Sequence, residues 1–432
     1  MANSIKSTSE HWLRSFAVVW CSQAFSLLRT SLVQFALVWW LTKTTGSVVV
    51  LTTATFVALL PNILLSPFAG ALVDRWNRKW VMVVADGSIA LSSLFLAFLF
   101  MMGLQQVWQI YVILFWRALG SAFLGPAMQA STALMVPDEH LTRVAGANQT
   151  LQGIAGIAAP PMGALLMELL PFYGVISVDF ITALVAIPPL LFVKIPQPDH
   201  ARKTPLTAPK QLFQEVAEGI HYLMGWKGAL SVVAMAVFVN FLLAPTETLL
   251  PLLITKHFNG GAWQLGILES VGGVGMVVGG LTLSAWGGFK RRIITSMLGV
   301  LGLGMGVMVI GLAPVTIFMM AVAGYGIAGF MSPMVNGSIY AILQAKVAPE
   351  MQGRIFTLFS SFAMAMTPLS MLVAAPVAEL LGVRSWFLIG GALTILLAAA
   401  AFLMPSIMNL EKAAQDIKPV VVVKPEVQRV IE

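Results

Sequence analysis

The chain has 432 residues, of which 58% are hydrophobic and only 10% are charged, against roughly 25% charged in an ordinary soluble domain. So little polar surface could not cover the core of a water-soluble protein of this length, and we expect lipid to cover most of its outside. The net charge of +7 does not indicate nucleic-acid binding, because the basic residues are spread from loop to loop instead of gathered on one face.

Taken in chain order, the apolar residues form stretches of membrane-crossing length. A helix needs roughly 20 apolar residues to cross the hydrocarbon layer, and helices satisfy their own backbone hydrogen bonds there. The first predicted spans are 15–41, 48–73, 80–102, 107–135, 144–170 and 174–193. The second set is 228–254, 261–287, 293–312, 315–343, 355–380 and 384–404. We predict an all-α membrane protein with twelve transmembrane helices in two six-helix bundles related by pseudo-twofold symmetry.

A polar linker separates the two sets of spans. Residues 194–227 are rich in proline and contain an amphipathic run from Leu212 to Met224, which we expect to lie along the membrane surface. The predicted domains are therefore an N-terminal half (1–193), this linker and a C-terminal half (228–404). A tail (405–432) follows, in which we find no functional signal.

Short internal repeats indicate that the halves are related. PAMQAS at 126–131 in the fourth span is echoed by PMVNGS at 333–338 in the tenth. The sequence Glu-Leu-Leu, starting at Glu168 and at Glu379, closes the fifth and eleventh spans. The echoes share their order and topology, which favours duplication over chance.

The basic residues predict the orientation. Of 25 Lys and Arg residues, 20 fall in segments on the side of the chain ends, and three fall on the other side: Lys43, Lys256 and Arg384. Since loops that stay inside are enriched in Lys and Arg, we expect a multi-pass inner-membrane protein with both termini in the cytoplasm.

Cysteine and histidine give no cofactor site. Cys21 is the only cysteine, and all five histidines fall in predicted loops or at span ends. Neither a disulfide nor a multi-cysteine metal site is available, and we predict no metal and no cofactor.

The loop between the second and third spans carries a family motif. GALVDRWNRK, starting at Gly70, resembles the loop 2–3 signature of the major facilitator superfamily. Asn77 stands where the family usually has Gly, and Asn tolerates a left-handed backbone, so we expect the turn to survive. The resemblance implies a cytoplasmic gate formed by Gly70, Asp74, Arg75 and Arg78, in which the acid contacts a neighbouring helix N-terminus. The alternative is an ordinary turn.

Two further motifs extend the resemblance to residues 12–404. Arg117-Ala-Leu-Gly120 resembles the family's span-four motif. The fifth span resembles the family's antiporter motif, although Ala159 replaces a usual Gly; the matching positions are Gly153, Gly156, Pro160 and Gly163. The linker helix and an Asp at the start of span six look most like the enterobactin-exporter and macrolide-efflux branch of drug:proton antiporters. The resemblance implies alternating access around a central cavity lined by spans one, four, seven and ten.

Two arginines lie within predicted spans. Arg29 and Arg117 are near mid-depth, where a charge costs roughly 2.5–3.5 kcal/mol to insert. Each either sets the potential of the cavity, attracting an anionic group or lowering the pKa of a nearby carboxyl, or has a structural role. The structural role would be an ion pair or hydrogen bonds to helix carbonyls.

Carboxylates within spans are the candidates for proton coupling, because a proton carrier must change charge during the cycle. Glu269, in span eight with no basic neighbour in sequence, is the best candidate for binding a proton or substrate. Asp86, Asp179 and Glu247 are further candidates. Asp86 could instead pair with the basic residues of loop 2–3, and Asp179 could cap its helix.

The predicted cavity is apolar and aromatic with a few neutral polar groups. The residues assigned to it are Phe25, Gln34, Gln129, Asn240 and Asn336, with further aromatic residues Phe35, Trp39, Trp40, Trp116, Phe123, Phe238 and Phe241. Such a lining favours a large amphiphilic ligand over a sugar. Glycines along spans five and eight are expected to allow close helix contact.

These features favour a secondary transporter that exports amphiphilic compounds, such as drugs, macrolides or a siderophore, in exchange for protons. The alternatives are a lipid or lysophospholipid flippase of the same fold and, from another class, a non-transporting membrane receptor. No nucleophile motif or phosphate-binding loop supports an enzyme. The expected partners are the amphiphilic substrate, protons and the bilayer, without nucleic acid, and we expect a monomer.

Overall fold

The computed structural model describes residues 11–73, 76–137, 140–193, 195, 227–347 and 349–413. Within these ranges, twelve helices are long and apolar enough to cross a membrane, which confirms the predicted fold class. The first six are α1 (His11–Thr45), α2 (Val48–Val73), α3 (Arg78–Met101), α4 (Val107–Met135), α5 (Leu141–Leu169) and α6 (Phe172–Phe192). The second six are α7 (Lys227–Lys256), α8 (Ala262–Trp286), α9 (Arg292–Leu312), α10 (Phe318–Lys346), α11 (Pro349–Leu381) and α12 (Val383–Leu403).

The helix ends differ from the predicted spans by several residues at most. The helix α11 begins at Pro349 instead of residue 355, because proline is well tolerated in a first turn, where its missing N–H leaves nothing unpaired. Two short helices, α13 (Pro405–Met408) and α14 (Leu410–Ala413), follow α12. The linker helix expected from Leu212 to Met224 lies outside the described residues.

Asn77 does not use the left-handed backbone that Asn tolerates. Asn77 is extended, with φ −69° and ψ 108°. Its side-chain oxygen accepts a hydrogen bond from the backbone N–H of Trp80 at 3.3 Å, so it caps the N-terminus of α3. Asparagine is one of the preferred residues for that position.

Helix contacts repeat between the halves. In the first half, α1 packs on α5 and α6, α3 packs on α4 and α6, and α2 packs on α4. In the second half, α7 packs on α11 and α12, α9 packs on α10 and α12, and α8 packs on α10. The halves meet mainly through α5 with α8 and α2 with α11, which are themselves equivalent pairs. This is the predicted pseudo-twofold arrangement.

The two halves are joined at one side of the membrane domain. We call the side where α1 begins and α12 ends the terminus face, and the other side the far face. Toward the far face, one hydrophobic core contains residues of both halves, such as Leu37 and Leu253. Toward the terminus face, each half has its own core, one around Met82 and one around Met297. A cleft between the halves therefore opens toward the terminus face.

Direct contacts across the halves also lie on the far side of the molecule. The hydroxyls of Thr55 in α2 and Thr248 in α7 are 3.4 Å apart. Between α5 and α8, Ser270 donates a hydrogen bond to the carbonyl oxygen of Ile157 at 2.8 Å. A methyl group at Gly266 would lie 3.1 Å from the carbonyl oxygen of Pro160, so the backbones of α5 and α8 nearly touch there.

Glycines also bring α8 and α10 close together, as expected from the glycine run in span eight. A methyl group at Gly279 would lie 2.1 Å from the carbonyl oxygen of Phe330, and one at Gly275 would lie 2.4 Å from that of Gly326. The expectation is wrong for Gly156 and Gly280, where a methyl group would have no heavy atom within 4 Å. Close approach is thus limited to the glycines that face a neighbouring helix.

Replacing Gly279 by alanine should lower the melting temperature of the purified protein in detergent, because the backbone of α10 must move away at a cost of about 1–3 kcal/mol. Gly280→Ala is the matched control, since the adjacent position has open space and alanine is the better helix former. Equal melting temperatures for the two variants would contradict this packing.

Candidate functional site

A network of buried charges joins four helices of the N-terminal half. Its members are Arg29 in α1, Asp86 in α3, Arg117 in α4 and Asp179 in α6, each at most 3% exposed. Arg29 bridges the two carboxylates, donating to Asp86 Oδ1 at 2.6 Å and to Asp179 Oδ1. Arg117 donates to the other oxygen of Asp179. The sequence-predicted candidates of this half thus form one cluster.

Two serines complete the network. Ser26 donates to Asp86 Oδ1 at 2.6 Å, and Ser93 donates to Asp179 Oδ2 at 2.6 Å. The hydroxyl of Ser93 also accepts a hydrogen bond from Arg117 at 2.6 Å. Two guanidinium groups face two carboxylates, so the cluster is neutral when all four are ionised. Burying charges is tolerated when they are paired and hydrogen-bonded in this way.

This geometry corrects two alternatives. Asp86 does not pair with the basic residues of α3: Arg78 donates to a carbonyl of α4 at 2.7 Å, and Lys79 donates to carbonyls at the end of α6. Asp179 does not cap or open α6, since the helix begins at Phe172 and the carboxylate binds both arginines. For Arg29 and Arg117, the contacts match the ion-pair alternative.

A second cluster of ionisable groups lies in the described part of the C-terminal half. Glu247 in α7 and Glu269 in α8 interact electrostatically with each other. The hydroxyl of Tyr325 in α10 donates to Glu247 Oε2 at 2.8 Å. Among the described residues, no Lys, Arg or His forms an ion pair with either glutamate. We call these three residues the acid–tyrosine cluster.

Tyr325 is the residue of this cluster that sequence reasoning missed. The chain has only five tyrosines, and Tyr325 lies within a span between two glycines, which is the signal that could have identified it. Its ring lies against α8 at Gly272, where an added methyl group would be 2.3 Å from a ring carbon. Gly272 therefore makes room for the ring, and the ring position brings the hydroxyl to Glu247.

The cleft exposes several of the predicted cavity residues. Phe25 is 57% exposed on α1, a helix that contacts α2, α4, α5, α6 and α7. Asn240 and Glu247 are exposed on α7, which is likewise flanked by helices of both halves. Gln129 and Asn336 are exposed at the repeated positions of α4 and α10, whereas Gln34 is half-buried on α1.

Several aromatic residues assigned to the cavity lie elsewhere. Phe35 packs on Gly163, and Trp39 is buried in the far-face core. Trp40 makes an edge-to-face contact with Phe100 in the same region, with the ring centroids 5.1 Å apart. Trp116 and Phe123 instead line a groove of about 490 Å³ between α3 and α4, together with Trp76 and Trp80. Hydropathy alone cannot separate these environments, because core, groove and cleft all accept aromatic rings.

The family motifs fall on contacts between elements. In the antiporter-type motif, Gly163 faces α1, while Pro160 and Gly153 face α8 across the boundary of the halves. In the loop 2–3 motif, Gly70 lies in α2 and Arg78 begins α3. Asp74 and Arg75 lie outside the described residues, so the predicted gate stays a prediction.

Two related six-helix halves around a cleft are the arrangement of an alternating-access transport protein. A family model described as Major Facilitator Superfamily matches residues 19–370. The chain belongs to this superfamily.

Two of the similar curated proteins are efflux proteins. Macrolide efflux protein A of Streptococcus pyogenes is 32% identical over 401 residues, covering 93% of this chain and 98% of the relative. The multidrug efflux pump Tap of Mycobacterium tuberculosis is 28% identical, covering 83% and 85%. One similar solved structure is that of a bacterial homologue of the human lysosomal transporter Spinster, in an inward-facing and unoccupied conformation. Its TM-score is 0.65 at 14% sequence identity, and the match covers 95% of this chain and 100% of that chain. That structure supports the fold alone.

Replacing Asp179 by Asn should destabilise the protein more than replacing Asp86 by Asn. Asp179 binds both arginines and Asp86 binds one, and a buried charge that loses its partner costs about 3–5 kcal/mol. Thermal unfolding of both detergent-purified variants measures the difference. A smaller loss for Asp179→Asn than for Asp86→Asn would contradict the network.

Proposed function

We propose that the protein exports amphiphilic small molecules from the cytoplasm in exchange for protons. The observation that carries the proposal is a cleft, open toward one face, with an acid pair toward its closed end that has no basic partner among the described residues. Membership of the superfamily and similarity to macrolide and multidrug efflux proteins support the direction and the substrate class.

The terminus face is assigned to the cytoplasm. The 20 basic residues on this side, against three on the other, support that assignment through the positive-inside rule. The cleft then opens inward, ready to receive a compound from the cytoplasm or the inner leaflet. Rocking of the two halves about the far-face contacts would close the inner side and open the outer side.

Glu269 is assigned as a proton carrier. Part of its surface is exposed, and no cation of the described chain neutralises it. It can therefore take up a proton when the cleft faces outward and release it when the cleft faces inward. Each proton that moves inward gains ~2.3 kcal/mol per 100 mV of membrane potential, and the potential drives export when the protons that enter carry more charge than the compound that leaves.

The remaining charged elements are assigned supporting roles. The network of Arg29, Asp86, Arg117 and Asp179 holds the N-terminal half together as it moves. The loop 2–3 motif, with Gly70, Asp74, Arg75 and Arg78, closes the cytoplasmic side in the outward-open state, where a helix N-terminus would favour the acid by ~0.3–1 kcal/mol.

Replacing Glu269 by Gln should abolish proton-driven exchange of a macrolide in proteoliposomes with an imposed pH gradient, because a neutral amide cannot carry the proton. Glu379→Gln makes the same chemical change at an exposed site at the end of α11 and should leave exchange unchanged. Unaltered exchange in Glu269→Gln would remove this residue from the mechanism. Lipid movement without proton flux would favour the flippase instead.

A further inference from the structure

The two halves neutralise their ionisable groups in different ways. In the N-terminal half, two arginines balance two aspartates within hydrogen-bonding distance. In the C-terminal half, Glu247 and Glu269 repel each other, and no described basic side chain pairs with them. A bare pair of anions is costly inside a bilayer. The second cluster therefore needs a cation from outside the chain.

Glu269 has a further property that points to a ligand. It has no hydrogen-bond partner among the described residues, whereas Glu247 accepts from Tyr325. Its partner is expected to enter through the cleft, toward which Glu247 is exposed and Glu269 is half-exposed.

Tyr325 adds an aromatic surface to the same place. Both glutamates interact electrostatically with it, and its ring is fixed against Gly272. The face of an aromatic ring attracts organic cations. A site that combines an aromatic ring with carboxylates therefore suits an organic cation better than an inorganic ion. The chemistry of the cluster matches an alkylammonium or other soft organic cation.

We propose that Glu247, Glu269 and Tyr325 bind the cationic head of an amphiphilic substrate, with Gly272 as the residue that positions the aromatic ring. This inference rests on the proposed function and specifies its substrate class: cations are accepted, and neutral or anionic compounds of the same shape are rejected. The apolar remainder of the substrate lies along the cleft beside Phe25.

Two ions of matched shape and opposite charge test the proposal on purified wild-type protein. Tetraphenylphosphonium should bind in equilibrium dialysis, and tetraphenylborate should bind at least about tenfold more weakly, corresponding to roughly 1.4 kcal/mol. Equal binding of the two ions, or tighter binding of tetraphenylborate, would overturn the proposal. This comparison needs no variant and so does not depend on the folding of a mutant.

Variants then locate the site. Glu247→Gln and Glu269→Gln should each weaken tetraphenylphosphonium binding about tenfold, whereas Glu379→Gln should not. Tyr325→Phe keeps the ring and should bind within about threefold of wild type, while Tyr325→Ala should bind more weakly. Gly272→Ala should displace the ring and weaken binding, in contrast to Gly280→Ala. Unchanged affinity in both glutamate variants would overturn the assignment.

The outcomes separate this inference from the proposed function. Charge-selective binding without proton-driven exchange would retain the cation site and remove the antiport. Proton-driven export of a neutral macrocycle, with no selectivity between the two ions, would retain the antiport and remove the cation site.

Discussion

An unpaired charge in the middle of a bilayer is costly, and this constraint accounts for the arrangement of the ionisable groups in the protein. The N-terminal half meets it with its own side chains, because Arg29 and Arg117 neutralise Asp86 and Asp179 across four helices. The described part of the C-terminal half does not meet it, because no basic side chain there pairs with Glu247 or Glu269, and Tyr325 donates a hydrogen bond to Glu247. A permanent ion pair holds helices together, whereas an unbalanced pair of acids must exchange cations with its surroundings.

The fold determines where that exchange takes place. The halves join at the far face through one shared core and separate toward the terminus face. Glycines bring α8 against α10 and α5, and these contacts position both Glu269 and the ring of Tyr325. The proposed transport cycle follows from this placement, since rocking about the far-face contacts alters the access of water and substrate to the acids. Neutralisation by a proton and by an organic cation then become alternatives at one cluster.

The sequence predicted the spans well, because hydropathy reports directly on contact with lipid. It also placed all six charged candidates within spans, but it did not predict which charges meet. Asp86 lies near a basic loop in sequence and yet pairs with Arg29, because pairing depends on which helices are neighbours. Tyr325 was missed for a related reason, since its partner is on α7 and its space is provided by α8. Aromatic residues such as Trp39 and Trp116 were misplaced because hydrophobicity does not distinguish a core from a cleft.

The central claim is that protons and an organic cation neutralise the same acid pair. Proton release on addition of tetraphenylphosphonium to weakly buffered, purified protein tests it most directly, because binding of one species must displace the other by linkage. We predict proton release that accompanies binding in the wild type and is absent when both Glu247 and Glu269 are replaced by Gln. Tight binding of tetraphenylphosphonium with no proton release at any pH would contradict the account.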